Sequence, residues 1–279
     1  MLVFRRLYRD CRLGKTPLIM KQALLLRSSV FVRTAWVRVL FALLLLTGGM
    51  FARAQTAPDP AKPDKHVLLN IEGWSVQVDE RLFAPTNLVL GQRSLRLLTD
   101  HLFRIKEVMD PQKVQRVQQV VVWMDLTNGE LHNLQYHPDP VWLKEHGYNP
   151  EMAKGIHIPD ASLFTSVRHQ RIQPWCVLHE LAHAYHDQVL GNEQPEIMAA
   201  WKQFVASGKY ESVLYIEGGH QKHYALTNQK EFFAEMSETY FGQNDFYPFN
   251  RAELMRDEPE LYALLQKIWG PLIETQTNR

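Results

Sequence analysis

The segment His179-Glu180-Leu181-Ala182-His183 carries two imidazoles four residues apart with a carboxylate between them. On a helix, side chains four residues apart are neighbours, so the two rings can chelate one metal ion. The glutamate after the first histidine then reaches a water on that ion and can serve as its base. Pro174 and Gly191 are start and stop signals that predict a helix over 174–190. On an ideal wheel His179, Glu180, His183, His186 and Asp187 fall within one stripe of about 120°. Val177, Leu178, Leu181, Ala182, Ala184, Tyr185 and Val189 cover the remainder. Such a helix is buried on most sides, and its polar stripe needs partners. Zinc is one; ordinary hydrogen bonds to the histidines are the alternative.

Catalytic zinc needs a third protein ligand, with a further position left to water. The metzincin pattern would place a histidine ten residues after the first, but that position is Val189, which excludes the class. His186 and Asp187 lie on the right stripe, yet three ligands from so few turns of one helix would be strained. They read either as groups that support the ligands or as exposed polar residues. The better source of a ligand is 228–238, where Glu231, Glu235 and Glu238 share a helix face opposite Phe232, Phe233, Met236 and Tyr240. Like charges at this spacing repel unless water or a cation meets them. Asn228 and Glu231 also have the spacing of a capping box, in which Glu231 would reach back to the helix start; the two roles compete.

These residues must be held by a chain of 279 residues, 46% hydrophobic and 11% aromatic, enough for a real core. Residues 66–78 and 117–126 read as strands, and Gly155 to Ile158 as a short one. Apolar residues at helical spacing predict a helix over 88–108. Further helices are expected over 196–206, 228–241 and 259–269, which gives an α+β protein with a mixed N-terminal half and a helical C-terminal half.

The first 54 residues differ from the rest: they hold ten Lys or Arg and one acid, leaving 21 basic against 29 acidic residues, net −8, beyond them. That acidity argues against a nucleic-acid surface. The basic stretch leads into the apolar run 39–46 and ends on Ala52-Arg53-Ala54, the layout of a secretory signal peptide over 1–54 with Met20 as an alternative start. The apolar run is short for a membrane span, so the expectation is a secreted or periplasmic protein, tethered if the signal stays uncleaved. Residues 55–65 read as a disordered linker and 66–279 as the catalytic domain. Beyond position 54 Cys176 is the lone cysteine, which excludes a disulfide there; it reads as a buried apolar residue, with a metal-ligand role as the alternative.

The segment Tyr224-Ala225-Leu226-Thr227-Asn228-Gln229-Lys230-Glu231-Phe232-Phe233-Ala234-Glu235 resembles one in the anthrax lethal factor family of zinc peptidases. That family pairs an HExxH helix with a Tyr-x-x-Thr-Asn-x-x-Glu-Phe-Phe-Ala-Glu segment at a similar separation. The resemblance covers Trp175 to Phe241, about a quarter of the chain. It implies a zincin-like catalytic module with Zn2+ held by His179, His183 and Glu231, and with the Tyr224 hydroxyl at the metal. It also implies that Glu235 orients a ligand histidine. His220 and His223, in a Gly-Gly-His loop, read as exposed, with contact to substrate as the alternative. The expected activity is hydrolysis of peptides or proteins with Glu180 as general base. By similarity to zincins, a short strand would bind substrate as an added strand, and Ile156–Ile158 is the choice. The rivals are a non-catalytic zinc-stabilised envelope protein and a zinc hydrolase of non-peptide amides.

Overall fold

In the computed structural model residues 61–272 are described, and the expected signal segment lies outside them. Of the expected linker, Ala61 and Lys62 are tied down: the Ala61 carbonyl accepts from Arg81 and Thr127, and Lys62 Nζ donates to the Gly147 carbonyl at 3.1 Å.

The stretch expected as one strand over 66–78 is a hairpin of β1 (His66–Ile71) and β2 (Trp74–Asp79). Its two turn residues, Glu72 and Gly73, both have positive φ, at 54° and 97°. A two-residue hairpin turn of that hand matches the strand twist and favours glycine. Strand β3 is only Val122–Met124, because Asp110 caps and Pro111 starts a helix, α2 (Pro111–Val117), where a strand was expected to begin. Ahead of it, α1 (Leu88–Val108) spans the residues expected.

The sheet is completed by β4 (Gln135–Tyr136) and β5 (Ile156–Ile158), in the order β1-β2-β3-β5-β4. β2, β3 and β5 run parallel, while β1 and β4 lie antiparallel on the two edges. Side chains alternate across it. Val76, Val122 and Ile156 line up on the face turned to the helical core; Gln77, Trp123 and His157 line up on the other, where Leu143 and Met152 cover Trp123.

The C-terminal half is helical: α3 (Cys176–Tyr185), α4 (Pro195–Ala206), α5 (Gln229–Phe241), α6 (Arg251–Asp257) and α7 (Pro259–Trp269), with a small hairpin of β6 (Val213–Leu214) and β7 (His220–Gln221) between α4 and α5. The chain is therefore α+β, as expected, and among the described residues no helix is long and apolar enough to cross a membrane. α3 and α5 pack side by side, with Phe233, Phe241 and Tyr185 around Trp269. Gly242 ends α5, and what it permits is close approach of the Trp175 indole, since a Cβ there would sit 1.9 Å from Trp175 Cε2.

Candidate metal centre

α3 runs through the core with Val177, Leu178, Leu181, Ala182 and Ala184 fully buried, and delivers His179, Glu180 and His183 to one cleft. α5 supplies the opposite wall. Its N-cap Asn228 accepts from the backbone N–H groups of Lys230 and Glu231 at 2.9 and 3.0 Å, satisfying the helix start without the Glu231 side chain. Glu231 is thus free of capping, and its Oε2 lies 3.2 Å from His179 Nε2 and 3.3 Å from His183 Nε2. One donor atom from each of His179, His183 and Glu231 lies within 4.8 Å of the others, a grouping that could hold a metal ion.

The electrostatics follow from this crowding. Burial disfavours a charged His179, yet its bonds to Glu231 and Glu238 outweigh that and hold its pKa well above the usual histidine range. Burial raises Glu231, but the two histidines prevail and keep it ionised far below the ordinary carboxylate pKa. Behind His179, burial and the Glu238 charge push Glu235 well upward, and the same two causes bring Asp245 to about 7.

Glu180 is buried, and its Oε2 accepts from the backbone N–H of Tyr136 at 2.7 Å. Tyr224 begins a helical turn (Tyr224–Leu226) just before α5 and lines the same cleft, 47% exposed. Burial and the neighbouring Glu231 raise its pKa, which keeps the hydroxyl protonated and able to donate. The cleft, of about 450 Å3, is lined as well by residues 133–136 of the β4 segment and by His169, Gln173 and Cys176. Cys176 is buried, and that burial pushes its thiol pKa upward; it belongs to neither of the two metal-competent groups among the described residues.

Several expected roles move. Glu235, expected to orient a ligand histidine, stands 3.6 Å from His179 Nδ1 and spends its other oxygen on Asn244, whereas Glu238 Oε1 reaches His179 Nδ1 at 2.6 Å. The carboxylate hydrogen-bonded to His179 Nδ1 is Glu238. A residue seven positions on, two turns of helix, returns nearest to the face of Glu231. Asp187 bonds neither histidine; it accepts from Tyr136 Oη, Lys154 Nζ and Asn192 Nδ2.

His186, placed on the polar stripe by the helical wheel, is fully buried against Phe233 with both ring nitrogens unpartnered. The chain widens into a π-helical turn at His186–Leu190, and 100° per residue no longer applies past Tyr185. His223, expected exposed, is buried against Phe246, with Nδ1 accepting from Ala225 N; His220 is exposed. Ile156–Ile158, expected to pair with substrate, is flanked by β3 and β4 on its two sides and has no open edge. The edge strand that lines the cleft is β4. Sequence reasoning also passed over Tyr136, because the role of its backbone N–H depends on strand pairing that no local pattern records.

No family model, no curated protein and no solved structure matches the chain.

Proposed function

We propose that this chain is a zinc-dependent metallopeptidase with a zincin-like catalytic module, carried by His179, His183 and Glu231. The observation behind the reading is the convergence of their donor atoms, with Oε2 of Glu231 3.2 and 3.3 Å from the two ring nitrogens. Two ligand atoms each about 2.0–2.1 Å from a tetrahedral zinc are about 3.3 Å apart, so the donor set fits that ion. Glu238 supports the fit by taking up His179 Nδ1, which leaves Nε2 to face the other donors.

When bound, zinc would polarise the scissile carbonyl and acidify water at the site. Glu180, one oxygen anchored by Tyr136 N–H, takes the proton of the attacking water and returns it to the departing amine. Tyr224 donates its O–H to the oxygen that gains charge in the transition state, an interaction worth most there. The substrate lies along β4. His137 turns its backbone N–H and carbonyl inward to Gly155 and Lys154, so alternation leaves the Tyr136 carbonyl and the backbone groups of Leu134 for substrate, the Tyr136 N–H being taken by Glu180. The basic and apolar composition of the first 54 residues supports export.

The test is incubation of the purified chain with a diverse peptide library, with and without chelator. Cleavage that the chelator abolishes and zinc restores is expected. Zinc binding without turnover would instead favour the scaffold reading.

A further inference from the structure

Behind β4, on the sheet face turned away from the helical core, lies a chain of polar side chains that takes no part in the chemistry above. Asp125, directly after β3, meets His66 Nε2 with Oδ1 and His157 Nε2 with Oδ2, both at 2.7 Å, and accepts from Asn128 Nδ2 at 2.6 Å. His157 Nδ1 lies 3.2 Å from His137 Nε2, and His137 is stacked on Trp142. Asp125 and His157 are fully buried, and His137 is 3% exposed. Burying such groups is costly, and apolar side chains of similar size would stabilise the sheet as well or better.

The protons can be assigned. Asp125 is an ionised acceptor, held at about 2 because its two histidine partners outweigh the effect of burial. His157 therefore carries its proton on Nε2. Burial keeps His157 and His137 neutral, His137 down to about 3, so His157 Nδ1 is a lone-pair acceptor and His137 Nε2–H donates to it. The chain runs one way, from His137 through His157 to Asp125, and fixes each ring in turn.

Its end point is the edge strand. β4 has two residues, and the following Pro138 has no N–H to extend the ladder. Tyr136 sits between two restraints: its hydroxyl is held by Asp187, and its neighbour His137 is bonded through backbone and ring. The N–H that holds Glu180 belongs to Tyr136 itself, in the peptide that joins it to Gln135, the ladder partner of His157. We infer that His157, seated by Asp125, is a positioning residue: through His137 it aligns the Tyr136 N–H, and so the carboxylate of Glu180, for general-base work. The inference rests on the peptidase reading for its kinetic consequence, while its structural core, the ordering of Tyr136, stands apart from that reading.

Three variants of the full chain test it. His157→Gln keeps a donor toward Asp125 but removes the acceptor for His137; His157→Asn keeps an acceptor where Nδ1 stood and loses the donor; His137→Phe keeps the ring on Trp142 and loses the N–H. The expected result for His157→Gln and His137→Phe is a kcat about 10- to 100-fold lower, with KM and bound zinc within about twofold of wild type. His157→Asn should stay within about threefold of wild type in kcat. Amide exchange at Tyr136, followed in the zinc-loaded chain, should quicken about tenfold in the first two variants and hardly in His157→Asn. Wild-type kcat together with wild-type Tyr136 exchange in the first two would overturn the inference, and so would equal losses in all three. If the His157 variants do not fold, His137→Phe decides alone, because the ring of His137 makes no other hydrogen bond among the described residues. If the wild-type chain cleaves no peptide, the peptidase reading fails, and Tyr136 exchange still decides the positioning.

Discussion

Acid should weaken this fold through His101, a residue that does not line the cleft, by an amount that can be worked out in advance. His101 is 1% exposed on α1, with Nε2 2.8 Å from Gln170 Oε1 and Nδ1 3.2 Å from Arg104 Nη2. Arginine only donates, so Nδ1 is the acceptor and Nε2–H donates to Gln170. A second proton would have to enter at Nδ1, facing the guanidinium, and burial together with Arg104 lowers the pKa from 6.5 to about 4. The folded pKa is depressed, so the unfolded chain takes up its proton first. The contribution is complete above about pH 6.5 and is lost as pH falls toward 4. At 1.36 kcal/mol per pKa unit the whole shift is about 3 kcal/mol, and the part lost between pH 8 and pH 5 is about 2 kcal/mol. His101→Gln is neutral at both pH values and can still donate toward Gln170. Urea unfolding of the two proteins at pH 8 and pH 5, with chelator present, gives four free energies in which the other titrating groups cancel. Wild type should lose about 2 kcal/mol more than the variant between the two pH values. A difference below about half a kcal/mol would refute the proton assignment.

Four further outcomes are expected. Glu180→Ala should retain zinc and lose peptide cleavage, whereas His183→Ala should lose both, as read by metal analysis and turnover on the same preparations. Tyr224→Phe should lower kcat more than it raises KM; an unchanged kcat would leave Tyr224 with a structural role only. Glu238→Gln should weaken zinc about 10- to 100-fold in a chelator competition, and Glu235→Gln markedly less, since the carboxylates stand 2.6 and 3.6 Å from His179 Nδ1. Gly242→Ala should destabilise by about 1–3 kcal/mol in denaturant unfolding, because its Cβ would overlap a Trp175 ring that Arg104 covers from 5.0 Å.

What could be read from the sequence was what depends on neighbours along the chain. α1, α4, α5 and α7 fall within a residue of expectation because each carries an apolar period of its own, to which α4 and α5 add the capping side chains of Gln194 and Asn228 and α7 a proline in its first turn. The histidine pair and Glu231 were legible for the same reason: each sits in a local motif, and the structure brings all three together. Pairing across the fold left no such trace. β4 is two residues of a turn-rich stretch, made a strand only by β5. Glu238 could be told from Glu235 only by how α5 crosses α3. His186 was misplaced because the wheel assumed an α-helix through a π-turn that only the structure reveals. The Asp110-Pro111 start of α2 was readable, yet the β-branched run 120–122 overshadowed it.

The donors of the candidate centre come from two helices, and 48 positions separate His183 from Glu231. An ion shared by both helices would close that stretch into a loop, with α4, the β6–β7 hairpin and Tyr224 inside it. Binding to the folded chain alone adds stability in proportion to the logarithm of free ion over Kd, and here it would be felt first by the enclosed stretch. Tyr224 stands near the exit of that loop, seven residues before Glu231. On the proposed reading, loading the metal and steadying the Tyr224 hydroxyl would be one event, and removing the ion would loosen the oxyanion donor along with taking away the Lewis acid.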